Sequence, residues 1–310
     1  MVLEWEGILS SWAQPPGTAE QQRSENTVRA IRNAIDGSSP LRARRIMPFV
    51  QGSYRNRVTV RRDSDVNVGV MCHDAFLPQY PRGMTHADFG NTDSQYSFSQ
   101  FKDELEKALV LHFGRTSVAR GNKSLTVREH TNRVEADVTP FFEFRDYENK
   151  TPYVQYVAGV ALFTDGGKRI ENYPEQLLPY WPSIPLHYEN GIAKNRETLR
   201  RFKGVVRILK RLRNTIAESG NNMVQSVPGY LIECLTWNVP NQEFLRDSLC
   251  ARVQAVLAYV WSNTREDSLC NSWCEVDNTK YLFHWTQPWT REAAHAFADA
   301  ALRYLGMQTR

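Results

Sequence analysis

The chain has no apolar run near the roughly 18 residues that a bilayer-spanning helix needs. Its start, Met1-Val2-Leu3-Glu4-Trp5-Glu6, lacks the basic residues and long apolar core of a signal peptide. Together these absences predict a cytoplasmic protein with no membrane partner. Cysteine is sparse: five residues, an odd number, with only Cys270 and Cys274 close together and no Cys-x-x-Cys pair, which argues against a disulfide framework. Cys250, Cys270, Cys274 and His284 or His295 are the right residue types for zinc, but their spacing fits no familiar zinc pattern. Internal repeats and low-complexity tracts are missing, and charge of one sign does not dominate: 38 basic against 34 acidic side chains leave a net charge of +4. What is present is an ordinary globular composition, 41% hydrophobic over 310 residues, enough for one large core or two lobes.

The most informative pattern lies between residues 46 and 140. Val66, Val68 and Val70 alternate with Asp65, Asn67 and Gly69, which predicts a half-buried strand carrying Asp65 and Asn67 side by side on its polar face. Two oxygen ligands one strand repeat apart can share a small hard cation; Mg²⁺ is usually held by one or two carboxylates plus substrate phosphates. Asp137, in the alternating run Val134–Thr139, is a candidate third ligand. Upstream, Gln51-Gly52-Ser53 closes the expected strand Ile46–Val50. Glycine there lets backbone N–H groups approach a phosphate, and the serine hydroxyl can bond a phosphate oxygen. A lone Gly-Ser is ordinary turn chemistry and a lone Asp-x-Asn is a solvated strand face. The order of strand, Gly-Ser, strand with oxygen ligands and distant Asp on another strand is far more specific, and it reads as a nucleotidyltransferase metal site.

A second cluster is basic. Arg196, Arg200, Arg201, Lys203, Arg207, Lys210, Arg211 and Arg213 crowd one segment, while Phe202, Val205, Val206, Leu209 and Leu212 recur at three- and four-residue steps. An amphipathic helix with a basic face follows. Lys203, Arg207 and Lys210 fall at i, i+4 and i+7, a stripe able to meet a triphosphate or simply to face solvent. One basic helix without interleaved aromatics is weak support for nucleic-acid binding.

The period of the pattern changes along the chain and predicts two lobes in an α+β fold. Thr18-Ala19-Glu20-Gln21 reads as a capping box opening a helix that ends at Gly37. Strands are expected at Ile46–Val50, Val66–Met71, Leu125–Val127, Arg133–Val138, Phe141–Phe144 and Tyr156–Phe163, with a helix at Ser97–Phe113, a loop over Phe76–Tyr96 and a turn at Asp165-Gly166-Gly167-Lys168. From Arg196 the period is helical: Glu197–Glu218, Tyr230–Asn238, Phe244–Asn263 and Arg291–Leu305. We divide the chain at residues 1–170, a catalytic lobe with an N-terminal helix and a mixed sheet, and 171–310, a helical nucleotide-clamping lobe, with a nucleotide at the joint. Pro228-Gly229-Tyr230 opens one of these helices, and Tyr230 is either a core residue or a ring on which a base stacks.

Gln51-Gly52-Ser53-Tyr54-Arg55-Asn56, Asp63-Ser64-Asp65-Val66-Asn67-Val68 and Ala136-Asp137-Val138-Thr139-Pro140 together resemble the polymerase-beta-type signature of the bacterial relatives of cyclic GMP-AMP synthase, the CD-NTases. The resemblance covers nearly the whole chain; Asn172-Tyr173-Pro174-Glu175-Gln176 and His187-Tyr188-Glu189-Asn190-Gly191 also look like family sequence, separated by an aromatic and proline-rich insertion at Leu177–Leu186. It implies a two-lobed polymerase-beta-like fold, two Mg²⁺ or Mn²⁺ ions held by Asp65, Asp137 and the residue at 67, and nucleotide contacts from Gln51, Gly52, Ser53, Lys203, Arg207, Lys210 and, by stacking, Tyr230. It further implies joining of nucleoside triphosphates into a cyclic di- or trinucleotide for anti-phage signalling in bacteria, with a downstream effector recognising the product. Gly229 replaces a serine of the family pattern, so no phosphate contact is expected from it.

Asn67 departs from the pattern, which has a carboxylate there. Its amide offers an oxygen but no charge to the cation. The expectation is strongly reduced activity, either in a deliberately inactivated form that still binds nucleotide or in a naturally weak member, and the intact surroundings favour the first. Two rival functions remain: nucleotidyl transfer to an RNA end or small-molecule acceptor, and non-catalytic nucleotide binding. No nucleic acid is expected to be required.

Overall fold

The structure, a computed structural model, describes residues 2–60, 65–92, 94–148, 155–172, 186–278 and 280–307. Asp63 and Ser64, Tyr173–Gln176 and all of the 177–186 insertion except Leu186 lie outside them. In chain order the elements are helices α1 (Val2–Ala13), α2 (Thr18–Asp36) and α3 (Ser39–Arg42), strand β1 (Ile46–Gln51), helix α4 (Gly52–Asn56), strand β2 (Val66–Gln79) and helix α5 (Phe98–Phe113). Strands β3 (Val118–Arg120), β4 (Leu125–Val127), β5 (Ala136–Asp146), β6 (Val157–Phe163) and β7 (Arg169–Asn172) follow. The rest is helical: α6 (Leu186–Glu197), α7 (Phe202–Glu218), α8 (Asn222–Gln225), α9 (Gly229–Trp237), α10 (Leu249–Asn263), α11 (Asp267–Cys270) and α12 (Arg291–Tyr304).

These elements form two compact units, one comprising Thr18–Tyr54 and Ser64–Pro185, the other Met1–Gly17, Arg55–Asp63 and Leu186–Arg310. The sheet unit runs to Pro185, against a division drawn after residue 170, and α1 and the segment after α4 pack on the helical side. Leu9 and Val58 explain this, since both are fully buried in the helical core.

The sheet unit is α+β, and its seven described strands form one mixed sheet. Strands β1-β2-β5-β4-β3 run side by side, with β6 joining β5 and β7 joining β6. The pairs are antiparallel except β2 with β5. Val66, Val68 and Val70 are buried, and with Ile31 of α2 and Phe101, Leu105 and Leu109 of α5 they fill the core, leaving the Asn67 row on the other face. Two expectations change here. β2 continues to Gln79 because, past a bulge between Cys72 and Phe76, Phe76–Gln79 pair with Glu143–Asp146; the loop begins later than expected. The two strands expected around Pro140 are one, β5. Pro140 falls where the neighbour on one side changes from β4, paired with Ala136–Val138, to β6, paired with Phe142–Asp146, so its missing N–H breaks no ladder on that side. Behind the sheet, buried Lys102 of α5 donates to the Gly121 and Asn122 carbonyls and to Asp165, tying two turns to the helix.

The helical unit is organised on α7, whose Val205, Val206, Ile208, Leu209 and Leu212 are buried. The helix expected at Glu197–Glu218 starts later, as α7 at Phe202, because Leu199 and Arg200 adopt positive φ (53° and 63°) and separate it from α6. The helix expected from Phe244 starts at Leu249, where Ser248 accepts from the Ala251 N–H. Three ionisable groups meet in this unit, two of them buried: Glu233 of α9 accepts from Lys210 Nζ at 3.3 Å and meets the partly buried His187 Nε2 at 2.9 Å. Burial raises the Glu233 carboxyl, but the Lys210 ammonium and the His187 ring outweigh it and hold the group below its ordinary 4.5, at about 2. No helix among the described residues is long and apolar enough to cross a membrane.

A depressed carboxyl in the fold contributes stability that is complete above the ordinary carboxylate range and lost as pH falls through the folded value. The helical unit should lose stability between about pH 4.5 and pH 2, and Glu233→Gln should flatten that dependence. At neutral pH Glu233→Gln leaves Lys210 buried without its counter-charge, with an expected loss of about 3–5 kcal/mol. Urea denaturation followed by tryptophan fluorescence checks both, because every tryptophan but Trp181 lies in this unit. Equal stability of the two proteins at neutral pH would contradict it.

Candidate active site

Strand pairing assembles the oxygen-bearing residues. β1 sets Gln51 opposite Asn67, the parallel pair β2–β5 sets Asn67 opposite Asp137, and β4 sets Thr126 opposite Asp137. Gln51, Asn67, Asp137 and Thr126 thus form one row across four strands, all half-buried. Asp65 precedes β2 and is exposed; its neighbour Val66 donates to the Glu135 carbonyl at 3.0 Å, which fixes the start of the parallel pairing. Thr126 Oγ1 donates to Asp137 Oδ1 at 2.7 Å and so orients that carboxylate. The composition gives no hint of Thr126, and only its alternation in a three-residue strand places it on this face.

Gly52 leaves β1 with φ +70°, a conformation that favours glycine, and begins α4 with Ser53 behind it. A Cβ on Gly52 would stand 3.3 Å from Asn67 Nδ2, so the turn packs directly on the amide at the disputed position. Two residue pairs further along the sheet, Phe49 covers Gly69 so closely that a Cβ there would lie 2.2 Å from Phe49 Cζ. The ring stacks on Phe141 at 6.1 Å and forms an apolar wall beside the oxygen row.

The donors of this row are all oxygen, which suits Mg²⁺ or Mn²⁺ and not a thiophilic metal. With Asp65 from before β2 added, the candidate ligands Asp65, Asn67 and Asp137 are two carboxylates and one amide, and among the described residues no group of three His, Cys, Asp or Glu side chains is placed to hold a metal. The remaining ligands of such a cation would come from substrate phosphates. The residues therefore fit a hard divalent ion held jointly with substrate. The cysteine and histidine residues weighed for zinc form no such cluster among the described residues; the five cysteines form no disulfide and four of them are buried.

On α7 of the helical unit the basic stripe Lys203–Arg207–Lys210 is enclosed and does not form a solvated face. Lys203 and Lys210 are 8% and 4% exposed and Arg207 is half-buried. Lys210 is the partner of Glu233 described above. Arg207 donates from Nε to the Ala13 carbonyl at 2.6 Å and from Nη1 to the Arg57 carbonyl at 3.0 Å, and burial pushes its guanidinium down to about 10. Burial also lowers the Lys203 ammonium, against a raising influence from Glu233. Tyr230 lies between two rings, His187 at 5.5 Å and Trp289 at 5.8 Å, and its hydroxyl donates to Glu275 Oε2 at 3.0 Å. Burial, with Cys234, Glu275 and Asp277 nearby, pushes that phenol well up. Sequence reasoning missed His187, Glu233 and Glu275. A buried Glu on an apolar helix, Leu231-Ile232-Glu233-Cys234-Leu235, was the available signal.

Comparison with known proteins agrees with this arrangement. Residues 189–306 match the family described as the cGAS/DncV-like nucleotidyltransferase C-terminal helical domain. The chain is 39% identical over 293 residues to a cyclic dipyrimidine nucleotide synthase, CdnE, of Cecembia lonarensis, covering 94% of this chain and 95% of that protein. It is 36% identical to a protein of the same name from Legionella pneumophila over 98% of this chain and 99% of that one. Among solved structures, the Rhodothermus marinus CdnE c-UMP-AMP synthase with Apcpp and Upnpp superposes with a TM-score of 0.78 at 28% identity, covering 97% of this chain and 96% of that one. With relatives this similar along almost its whole length, the chain belongs to the CD-NTase family of cyclic-nucleotide synthases.

Proposed function

We propose that this protein is a bacterial, cytoplasmic synthase that joins nucleoside triphosphates into a cyclic dinucleotide or trinucleotide used in anti-phage signalling. The row Gln51–Asn67–Asp137–Thr126, with the Gly52 turn packed on Asn67, is the observation that carries it: it gathers hard oxygen donors and a phosphate-accommodating turn at one end of a mixed sheet.

In this reading Gly52 and Ser53 bind phosphate oxygens through the bared backbone and the hydroxyl, with Gln51 beside them. Asp65, Asn67 and Asp137 would hold the divalent ions, two by resemblance, whose chemistry would be to lower the pKa of a ribose hydroxyl and neutralise charge on the leaving pyrophosphate. Thr126 keeps the Asp137 carboxylate turned toward that position. Lys203 and Lys210 contribute positive charge for the triphosphate, and Tyr230 a ring for a base. Arg207 acts through the two carbonyls it holds and positions rather than binds. The relatives' names specify dipyrimidine and UMP-AMP products.

Asn67 contributes no charge to the cation. The chain as it stands should bind nucleoside triphosphate with Mg²⁺ and turn it over slowly, and Asn67→Asp should raise product formation by about a thousandfold. Chromatography of reactions containing all four nucleoside triphosphates and Mg²⁺ tests this; equal product from the two proteins would overturn the role given to position 67. The same Asn67→Asp reaction should persist after nuclease treatment. A rise of about tenfold on adding duplex DNA or RNA, about 1.4 kcal/mol of coupling, would instead mark a nucleic-acid sensor.

Lys203→Ala should weaken triphosphate binding in calorimetry by about 1.5–3 kcal/mol, the usual worth of a charge-assisted hydrogen bond, with little change in fold. Unchanged affinity would leave Lys203 as a buried structural cation.

A further inference from the structure

Tyr230, at the start of α9, is pinned by the stretch between α11 and α12. Its hydroxyl donates to Glu275 Oε2 at 3.0 Å, and Gln287 Nε2 donates to Glu275 Oε1 at 2.7 Å. The two donors approach separate oxygens, which a carboxylate supplies and an amide does not. Both chain neighbours of Glu275 are themselves fixed. Cys274 and Asn238, just past α9, exchange two hydrogen bonds (3.1 and 2.7 Å), and Asn190 of α6 donates to the Val276 carbonyl at 2.8 Å. Gln287 has a second anchor in the Tyr281 carbonyl at 3.2 Å. Burial, with Asp277 nearby, pushes the Glu275 carboxyl up even though Gln287, Tyr230 and Lys280 draw it down. An ionised carboxylate whose folded value is raised subtracts from stability at neutral pH, so stability does not explain its presence. Local features kept at such a cost belong to sites.

The hydroxyl lies on the ring axis, so the bond to Glu275 fixes where the ring points. His187 at 5.5 Å and Trp289 at 5.8 Å, tilted 31° and 48° to the ring, limit its rotation about that axis. Trp289 is tied in turn by its indole N–H to the Leu282 carbonyl at 2.8 Å. The hydroxyl end is enclosed while the residue as a whole is half-buried, so part of the ring stays accessible. We propose that Glu275, held by Gln287, is a positioning residue that keeps the Tyr230 ring in the orientation in which a nucleobase stacks on it. This rests on the reading of Tyr230 as the base platform and extends it to two residues that do not touch the nucleotide. Glu275 serves the base; binding of the phosphates does not pass through it.

The test is titration calorimetry on the full chain with Mg²⁺, comparing a non-hydrolysable nucleoside triphosphate analogue with inorganic tripolyphosphate, which has no base. Tyr230→Phe keeps the ring and removes the tether. It and Glu275→Ala should each weaken the analogue about threefold to tenfold, the worth of one hydrogen bond, with tripolyphosphate changed by less than about twofold. The double variant should bind no more weakly than the worse single one, since both changes remove the same bond. Glu275→Gln, with one acceptor oxygen left, should recover part of the loss. Unchanged analogue affinity in Tyr230→Phe, an equal loss for tripolyphosphate, or additive losses in the double variant overturns the proposal, and Tyr230→Phe alone decides it if Glu275→Ala folds poorly. Tyr230→Leu tests the underlying reading separately: analogue affinity equal to that of the unaltered chain would show that no base stacks on this ring.

Discussion

The parallel pairing of β2 with β5 is the constraint on which the site depends. Asp137 is seventy residues from Asn67 in sequence, and no local rule brings them together. The register does: one residue of slip would move Asp137 to the core face and put Val138 or Ala136 in its place. The buried valines of β2 and the buried alternate residues of β5 lock that register, because a slip would expose them while burying a carboxylate without a partner. Packing thus fixes the chemistry, and the hydrogen bond from Thr126 only trims the orientation of a carboxylate already in place.

The helical unit works by a different principle. Its positive charges are embedded and individually assigned. Lys210 faces Glu233 and His187, and Arg207 holds two backbone carbonyls. Lys194 donates to the Val239 carbonyl and Asn241 among the rings of Phe202, Trp237 and Phe244, where burial pushes its ammonium down to about 8. Cations held this way lose side-chain freedom during folding and not during binding, which is the general advantage of a preorganised site. Lys203, by contrast, makes no ion pair among the described residues; Glu233 and Glu189 act on it only as nearby charges.

Much of this was legible in the sequence. Alternation at Val66–Val70 and Val134–Thr139 placed the strands and their polar faces, because period-two patterns survive whenever one face is buried. The helices α2, α5, α9, α10 and α12 carried their own signals. Other features were hidden for physical reasons. Pro140 reads as a strand break, yet it lies in a gap between two neighbours. Leu199 and Arg200 carry no glycine to announce a left-handed turn. The stripe Lys203–Arg207–Lys210 has the spacing of a solvated face, and only its partners show that it is buried: a glutamate on another helix and carbonyls from two remote segments. Long-range pairing of this kind leaves no periodicity in the chain.

The helical unit is assembled from three separate stretches of chain, with Leu9 near the start, Val58 and the Arg57 carbonyl in the second stretch, and the rest after residue 186. The sheet unit takes all its strands from residues 46–172. During synthesis the sheet unit can therefore close first, since all its strands emerge early, whereas the first helix and the segment at Val58 must wait with exposed apolar faces until the last helices leave the ribosome. An isolated fragment starting at residue 186 would lack two pieces of its own core. Such a fragment is a poor surrogate for the unit, and a split or permuted version of this protein has to keep those three stretches together.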